Sequence, residues 1–183
     1  MPTLNDLKYP IGPHEGKKDI SDADRKKWID VIARFPGDLR AEVTGLVDSD
    51  LALRYRPGGW SIRELIHHCA DSHMNSFIRF KLALTEDEPT IKPYDESEWA
   101  ILPDSADAPI SWSLQILDGV HARWVFMLRR LEEEDFERTF IHPEGNRTLT
   151  LDKALDLYQW HCRHHLTHVR QAKQFQEKFP ELS

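Results

Sequence analysis

Four of the ten histidines of this chain lie within eight residues of one another, in the segment 160–168, which reads WHCRHHLTH. They form two pairs with a spacing of four residues. This spacing puts both side chains of a pair on one face of a helix, one turn apart. Neutral imidazole nitrogens bind first-row divalent metals well, so the segment predicts a metal site on a helix. The two pairs are His161 with His165 and His164 with His168.

Two ligands hold a metal poorly, so a third ligand must come from elsewhere in the chain. The best source is the adjacent pair His67 and His68. They open another segment with a helical pattern. On that helix His68, Asn75 and Arg79 fall on a common stripe, with Asp71 beside it. Polar groups that face a bundle interior need partners, and a metal with a polar ligand would supply them. The alternative is an Arg79 that faces outward in a surface salt bridge.

Three isolated histidines and both cysteines are interpreted as structural. Isolated histidines such as His14, His121 and His142 are more often satisfied core or surface residues than ligands. Cys69 and Cys162 directly follow His68 and His161, so they point about 100° away from those imidazoles. Both are predicted to be buried packing residues, with thiolate ligation of a metal as the alternative.

The composition excludes several classes of protein. A formal net charge of −7 and the lack of a long basic run argue against nucleic-acid binding. No apolar run approaches the roughly 20 residues that span a bilayer. The first residues show neither a basic region nor an apolar core typical of a secretory signal, and two cysteines make no disulfide scaffold, which favours the cytoplasm. Glycine-rich phosphate loops, nucleophile-elbow motifs and HExxH are also missing.

Four long amphipathic helices are predicted, with capping signals at their starts. Ser61 with Glu64 is a good capping box, and Ser21 with Asp24 is a weaker one. Pro36 should kink or split the first of these helices. The predicted helices run from Ser21 to about Leu46, from Ser61 to near Thr85, from Ser111 to Leu131, and from Thr150 or Asp152 to about Phe179.

The connections complete the predicted fold. Residues 1–20 look irregular, because Pro10, Gly12 and Pro13 interrupt them. The proline-rich segment 86–110 is predicted to be a long ordered loop, and 139–150 has the pattern of a small hairpin. The prediction is therefore an all-α protein with one domain over 1–183, an antiparallel four-helix bundle with a small hairpin before the last helix. Such bundles hold metals with side chains of facing helices.

The sequence resembles the DinB/YfiT-like superfamily over nearly its whole length. The most extended resemblance is the segment 67–86, HHCADSHMNSFIRFKLALTE. The family signature is a Trp-Ser pair, a histidine eight residues after the tryptophan, and a distant HxxxH. The matching motifs are Tyr9-Pro10-Ile11-Gly12, Gly58-Gly59-Trp60-Ser61, Pro93-Tyr94-Asp95-Glu96 and the segment 160–168.

This resemblance implies a ligand set. The histidine eight residues after Trp60 is His68 rather than His67, and the HxxxH pair is His161 and His165. The family binds one divalent ion per chain, nickel or zinc, in a four-helix bundle that commonly forms a homodimer. Arg163 stands where similar proteins carry a further histidine, which changes the charge near the site but not the ligand set.

Three activities are consistent with this centre. Three histidines leave open positions on the ion, as in catalytic metal sites, where the ion could activate water for hydrolysis of a small molecule. The alternatives are a transferase that uses a low-molecular-weight thiol such as bacillithiol, and a metal-binding stress protein without turnover. Arg79 and Asn75 would bind a carboxylate or amide of the substrate. Asp71 or His73 would orient a ligand histidine.

Overall fold

A computed structural model describes residues 1–182 and shows a mostly helical chain. Four long helices form the body, and a two-stranded hairpin precedes the last of them. The helices are α1 (Leu4–Lys8), α2 (Asp22–Val43), α3 (Asp48–Leu51), α4 (Ile62–Thr85), α5 (Glu96–Ala100), α6 (Pro103–Ala106), α7 (Ile110–Leu128), α8 (Glu133–Phe136) and α9 (Leu151–Phe175), and the strands are β1 (Thr139–His142) and β2 (Arg147–Thr150).

The predicted fold class is confirmed. The long helices α2, α4, α7 and α9 form a bundle, and β1 pairs antiparallel with β2, with Thr139 opposite Thr150. Their apolar faces meet in one core, whose largest fully buried side chains include Trp124, Phe35 and Phe80. Within residues 1–182, no helix combines the length and apolar character needed to cross a membrane.

Helix α2 packs against α7 and α9, and α4 packs against the same two helices. Polar contacts give the directions. The starts of α2 and α9 meet through Arg25 and Asp152, and their ends meet through Glu42 and Lys173, so this pair is parallel. Two consecutive helices of the bundle, α2 and α4, are therefore not neighbours, although α4 and α7 are.

Helices α4 and α9 run in opposite directions. The ring of His68 contacts that of His165, and one turn further along α4 the hydroxyl of Ser72 lies 3.2 Å from the hydroxyl of Tyr158. Advancing along α4 thus means moving back along α9. This pairing brings the middle of the histidine segment onto the first half of α4.

Capping explains where the long helices begin. Ser21 accepts a hydrogen bond from the backbone of Asp24, and Ser61 accepts one from Glu64, each with the reciprocal bond of a capping box. Both predicted caps are confirmed. Thr150 caps α9 in a similar way, by accepting from the backbone of Lys153.

Pro36 does not split its helix, so of the two predicted outcomes, a kink or a split, the split was wrong. Helix α2 continues through it from Asp22 to Val43. Proline has no N–H to donate to the carbonyl four residues earlier, which belongs to Ile32. That carbonyl instead accepts from His121 Nδ1 on α7, at 2.7 Å. A contact with another helix therefore replaces the lost bond.

Residues 1–20 are more ordered than predicted. Thr3 and Asp6 form a capping box that starts α1, a short helix that the sequence interpretation missed. The segment then lies along α9. The side chain of Gln171 donates to the carbonyl of Leu7 at 3.0 Å, and the indole of Trp160 donates to that of Gly12 at 3.1 Å.

Several boundaries differ from the prediction. Helix α9 ends at Phe175 rather than near Phe179, because Gln176 adopts the left-handed conformation with φ 47°. Helix α2 ends at Val43 and α7 at Leu128, each three residues early. The predicted loop 86–110 contains two short helices, α5 and α6.

Candidate metal centre

Three histidines from two helices meet at the centre of the bundle. His68 of α4 faces His161 and His165, which are one turn apart on α9. One ring nitrogen from each of the three lies within 4.8 Å of the others, and His68 Nε2 is 3.3 Å from His161 Nε2. Ligands about 2.0–2.1 Å from a tetrahedral ion lie roughly 3.4 Å apart, so the donor set fits a divalent metal.

Burial keeps these three imidazoles neutral. It lowers the pKa of His68 to about 4, and it lowers the pKa values of His161 and His165 well below the ordinary value. The neighbouring histidines lower them further, because one imidazolium would repel the next. Neutral imidazole is the form that binds metals, so the pocket prepares the ligands for an ion.

His161 has a polar partner on the side away from His68. Its Nδ1 lies 3.0 Å from Nε2 of His73, a fully buried residue one helical turn and a half beyond His68 on α4. The structure thus places His73 where it can orient a ligand histidine. Asp71, the alternative for this role, has no hydrogen bond to a ligand histidine among the described residues.

A second group of histidines overlaps the first. His164, His165 and His168 also bring ring nitrogens within 4.8 Å of one another. Here His168 Nε2 donates to the carbonyl of Lys8 at 3.1 Å, and its Nδ1 lies 3.4 Å from His165 Nδ1. His165 is common to both groups, and its Nδ1 is the nitrogen that faces His168.

A cavity of about 530 Å³ opens beside these histidines. This volume suits a small-molecule ligand. Lys8 and Arg56 contribute positive charge to its wall, and Glu96 contributes a carboxylate. The aromatic lining residues are Tyr9, Tyr55, Trp60 and Trp160.

The predicted polar residues of α4 lie outside this lining. Asn75 donates to the backbone carbonyl of Asp71, and the guanidinium of Arg79 is 3.5 Å from the carbonyl of Lys92. Burial raises the pKa of Asp71 to about 6. Among the described residues, none of the three lines the cavity of the metal centre. A catalytic role for Asp71, Asn75 and Arg79 stays a prediction.

The other candidates take structural positions. His67 points away from the centre, with Nδ1 2.7 Å from the hydroxyl of Ser113 and Nε2 3.2 Å from the carbonyl of Ala108. Cys69 and Cys162 are buried and unpaired, as predicted, and burial raises the pKa of both thiols. Both features keep them unreactive.

Two parts of the site were not identified from the sequence. Lys8 lies in the segment predicted to be irregular and Arg56 lies between two predicted helices, so only the fold brings them to the cavity. His121 was interpreted as a satisfied core or surface residue, yet it contacts His73, with His121 Nε2 2.7 Å from His73 Nδ1. No local signal reveals that contact, because 48 residues separate the two histidines.

Comparison with known protein families identifies the family of this chain. The profile described as "DinB superfamily" matches residues 22–169, which include all three candidate ligands. The chain belongs to the DinB superfamily. The resemblance noted in the sequence is thereby confirmed.

Individual DinB superfamily relatives are similar over nearly their whole length. The chain is 47% identical to the "Putative metal-dependent hydrolase YfiT" of Bacillus subtilis (strain 168) over 92% of this chain and 94% of YfiT. A Bacillus cereus (strain B4264) protein with a name of the same form is 50% identical over 91% and 95% of the two chains.

A solved structure extends the similarity to the fold. It is described as "YfiT from Bacillus subtilis is a probable metal-dependent hydrolase with an unusual four-helix bundle topology". It superimposes with a TM-score of 0.91 at 45% identity and covers 94% of this chain and 98% of its own.

Proposed function

We propose that this chain is a metal-dependent hydrolase that acts on a small molecule through one divalent ion, nickel or zinc. His68, His161 and His165 would hold the ion. The observation that carries this proposal is the meeting of three neutral ring nitrogens, within 4.8 Å of one another, beside a cavity of about 530 Å³. The names of the relatives support it.

The number of ligands favours catalysis over a purely structural metal. Structural zinc sites are closed by four protein ligands, whereas three ligands leave room for water or substrate. An ion bound here would supply a Lewis acid that activates water. The protein's own part is to keep the imidazoles neutral and to limit the access of bulk water through the aromatic lining, while Lys8 and Arg56 attract an anionic substrate.

Metal content of the untagged protein tests the ligand set, and two variants separate the overlapping groups. His68 belongs only to the first group and His164 only to the second. We expect about one nickel or zinc per chain by elemental mass spectrometry, lost in His68→Ala and retained in His164→Ala. His67→Ala, on the same helix as His68 but facing away, is the matched control.

Loss of the ion in His164→Ala with retention in His68→Ala would move the centre to the second group. A wild-type protein that binds neither metal after incubation and gel filtration contradicts the proposal altogether. Binding without turnover across a broad substrate panel leaves the non-catalytic, stress-related alternative.

The positive residues favour a second candidate activity, transfer of a low-molecular-weight thiol to an electrophile. Thiols of this kind carry carboxylates, which Lys8 and Arg56 could bind in the cavity. A nucleophile competition separates the two activities. Consumption of an electrophilic probe in water alone supports hydrolysis, and consumption only after a thiol is added supports transfer.

A homodimer and a cytoplasmic location stay predictions. Light scattering of the metal-loaded protein at several concentrations checks the first, and fractionation of cells that express the chain checks the second.

A further inference from the structure

We infer that two buried histidines, His121 and His73, act as positioning residues that fix which nitrogen of the ligand His161 faces the metal. They form a line of hydrogen bonds from the carbonyl of Ile32 to His161, here called the histidine line. The inference rests on the proposed metal centre for its use, but its geometry is independent of any ion.

The histidine line joins the four long helices. The carbonyl of Ile32 on α2 is 2.7 Å from His121 Nδ1 on α7. His121 Nε2 is 2.7 Å from His73 Nδ1 on α4. His73 Nε2 is then 3.0 Å from His161 Nδ1 on α9. All four helices of the bundle therefore contribute to it.

The chemistry of each atom orders the protons along the line. A carbonyl only accepts, so His121 Nδ1 carries the first proton. In a neutral ring Nε2 then has the lone pair and accepts from His73 Nδ1. By the same step His73 Nε2 accepts from His161 Nδ1. This order leaves the lone pair of His161 on Nε2, the nitrogen that lies 3.3 Å from His68 Nε2.

The starting carbonyl is available because of Pro36. With any other residue at position 36, the backbone N–H would donate to the carbonyl of Ile32, but proline has no N–H. The carbonyl instead accepts from the side chain of His121, at 2.7 Å. A backbone feature of α2 thus sets the direction of three imidazoles.

The surroundings favour neutral rings throughout the line. His73 is fully buried and His121 is 2% exposed. Aromatic rings pack around them, with the ring centre of Phe35 5.1 Å from that of His73 and 5.6 Å from that of His121, and Trp124 and Tyr158 also in contact with His73. A charged imidazolium in such a site would lack solvation.

A role in core packing alone would give the same contacts, so the test must measure the orientation of the imidazoles and not only the stability of the protein. Nitrogen-15 NMR of the metal-free protein at neutral pH reports which ring nitrogen carries the proton. We expect the Nδ1–H form at His121, His73 and His161. Because histidine in water prefers the Nε2–H form, three Nδ1–H rings in a row would not arise without the line.

Two variants measure the effect on the metal. His73→Phe removes the acceptor for His161 and keeps a ring in place, so we expect zinc affinity to fall about 10- to 100-fold. His121→Phe removes the acceptor for His73, so we expect mixed forms at His73 and His161 and an intermediate loss of affinity. His67→Phe, another buried histidine of α4 with two hydrogen bonds of its own, is the matched control.

If His73→Phe and His121→Phe bind zinc as tightly as His67→Phe does, the inference is overturned, and both histidines have only a packing role. An Nε2–H form at His73 or His161 in the wild-type protein would also overturn it. If wild type binds no metal yet shows three Nδ1–H rings, the proposed function fails and the histidine line stands. If it binds metal without that order, the line fails and the metal centre stands.

Discussion

At the scale of single residues, the charges around the cavity decide which molecules can bind beside the metal centre. Lys8 and Arg56 lie on its wall with Glu96. Burial raises the pKa of Glu96, and the repulsion of Glu144 and Asp95 adds to this effect. Two cations face one carboxylate on this wall, so it is more positive than the acidic chain as a whole, and we expect it to favour an anionic substrate.

Substitution of the cavity arginine tests this preference. We expect Arg56→Ala to raise KM about tenfold for an anionic substrate, since a hydrogen bond to a charged group is lost, and to leave metal content unchanged. Arg147→Ala, on the exposed strand β2, is the control. An unchanged KM in Arg56→Ala would remove it from substrate binding.

Arg79→Ala tests the role predicted from the sequence. The guanidinium of Arg79 does not line the cavity but reaches the carbonyl of Lys92, in the loop before α5, the helix that begins at the cavity residue Glu96. We expect a smaller rise in KM than in Arg56→Ala, because any effect passes through that loop. Activity equal to wild type at every substrate concentration would exclude Arg79 from the site.

At the scale of elements, the parallel pair of α2 and α9 is fastened at both ends by charged side chains. Arg25 donates to both carboxylate oxygens of Asp152, at 2.8 and 2.9 Å, and its own side chain is only 9% exposed. Glu42 binds Arg170 and Lys173 at the other end. These contacts hold α9, and with it two of the three candidate ligands, in register.

Loss of the Arg25 pair should therefore cost stability. Asp152→Asn removes the carboxylate that pairs bidentately with the buried guanidinium of Arg25 and leaves Asp22 as its close partner, and we expect the free energy of unfolding to fall by about 2 kcal/mol. Asp30→Asn breaks the exposed pair with Arg129 and should change the free energy of unfolding little. Urea denaturation of both variants gives the comparison, and equal effects would contradict the structural role of Asp152.

Local rules predicted the helices well and failed where tertiary contacts intervene. The capping boxes at Ser21 and Ser61 were visible because their partners are three residues away. Thr3 and Asp6 offered the same signal for α1, but the prolines that follow obscured it. The split that was one of the two outcomes predicted at Pro36 did not occur, and the carbonyl that proline leaves free accepts from His121, on another helix 85 residues further along the chain.

The candidate site shows the same division. The spacing of His161 and His165 predicted a metal site, and the family resemblance selected His68. The cavity walls and the histidine line could not be predicted, since they depend on which helices are neighbours. The pairing of α2 with α9 and of α4 with α7 has no signature in any single segment.

At the scale of the whole molecule, the bundle buries many histidines in their neutral form. Burial lowers the pKa values of nine of the ten histidines, to about 4 for His68, His121 and His164 and to about 3 for His168, with the remaining shifts at His67, His73, His142, His161 and His165. The unfolded chain would bind protons at pH values where the folded chain does not. Stability is thereby linked to pH.

We expect the free energy of unfolding of the metal-free protein to have its highest value above about pH 6.5 and to fall as the pH is lowered toward 4. For His68 alone the lowered pKa corresponds to about 3 kcal/mol. Thermal unfolding between pH 8 and 4, in the presence of a chelator, measures this loss. A melting temperature that stays constant from pH 7 to pH 4.5 would contradict it.

The N-terminal segment has a practical consequence for every measurement on this protein. Hydrogen bonds from His168 and Gln171 fasten it to α9, and Lys8 and Tyr9 form part of the cavity wall. Met1 is therefore tethered only seven residues from the cavity, and any tag fused to it has a high effective concentration there. A polyhistidine tag at this end would compete with His68, His161 and His165 for the ion, so the tag must be removed before metal is counted.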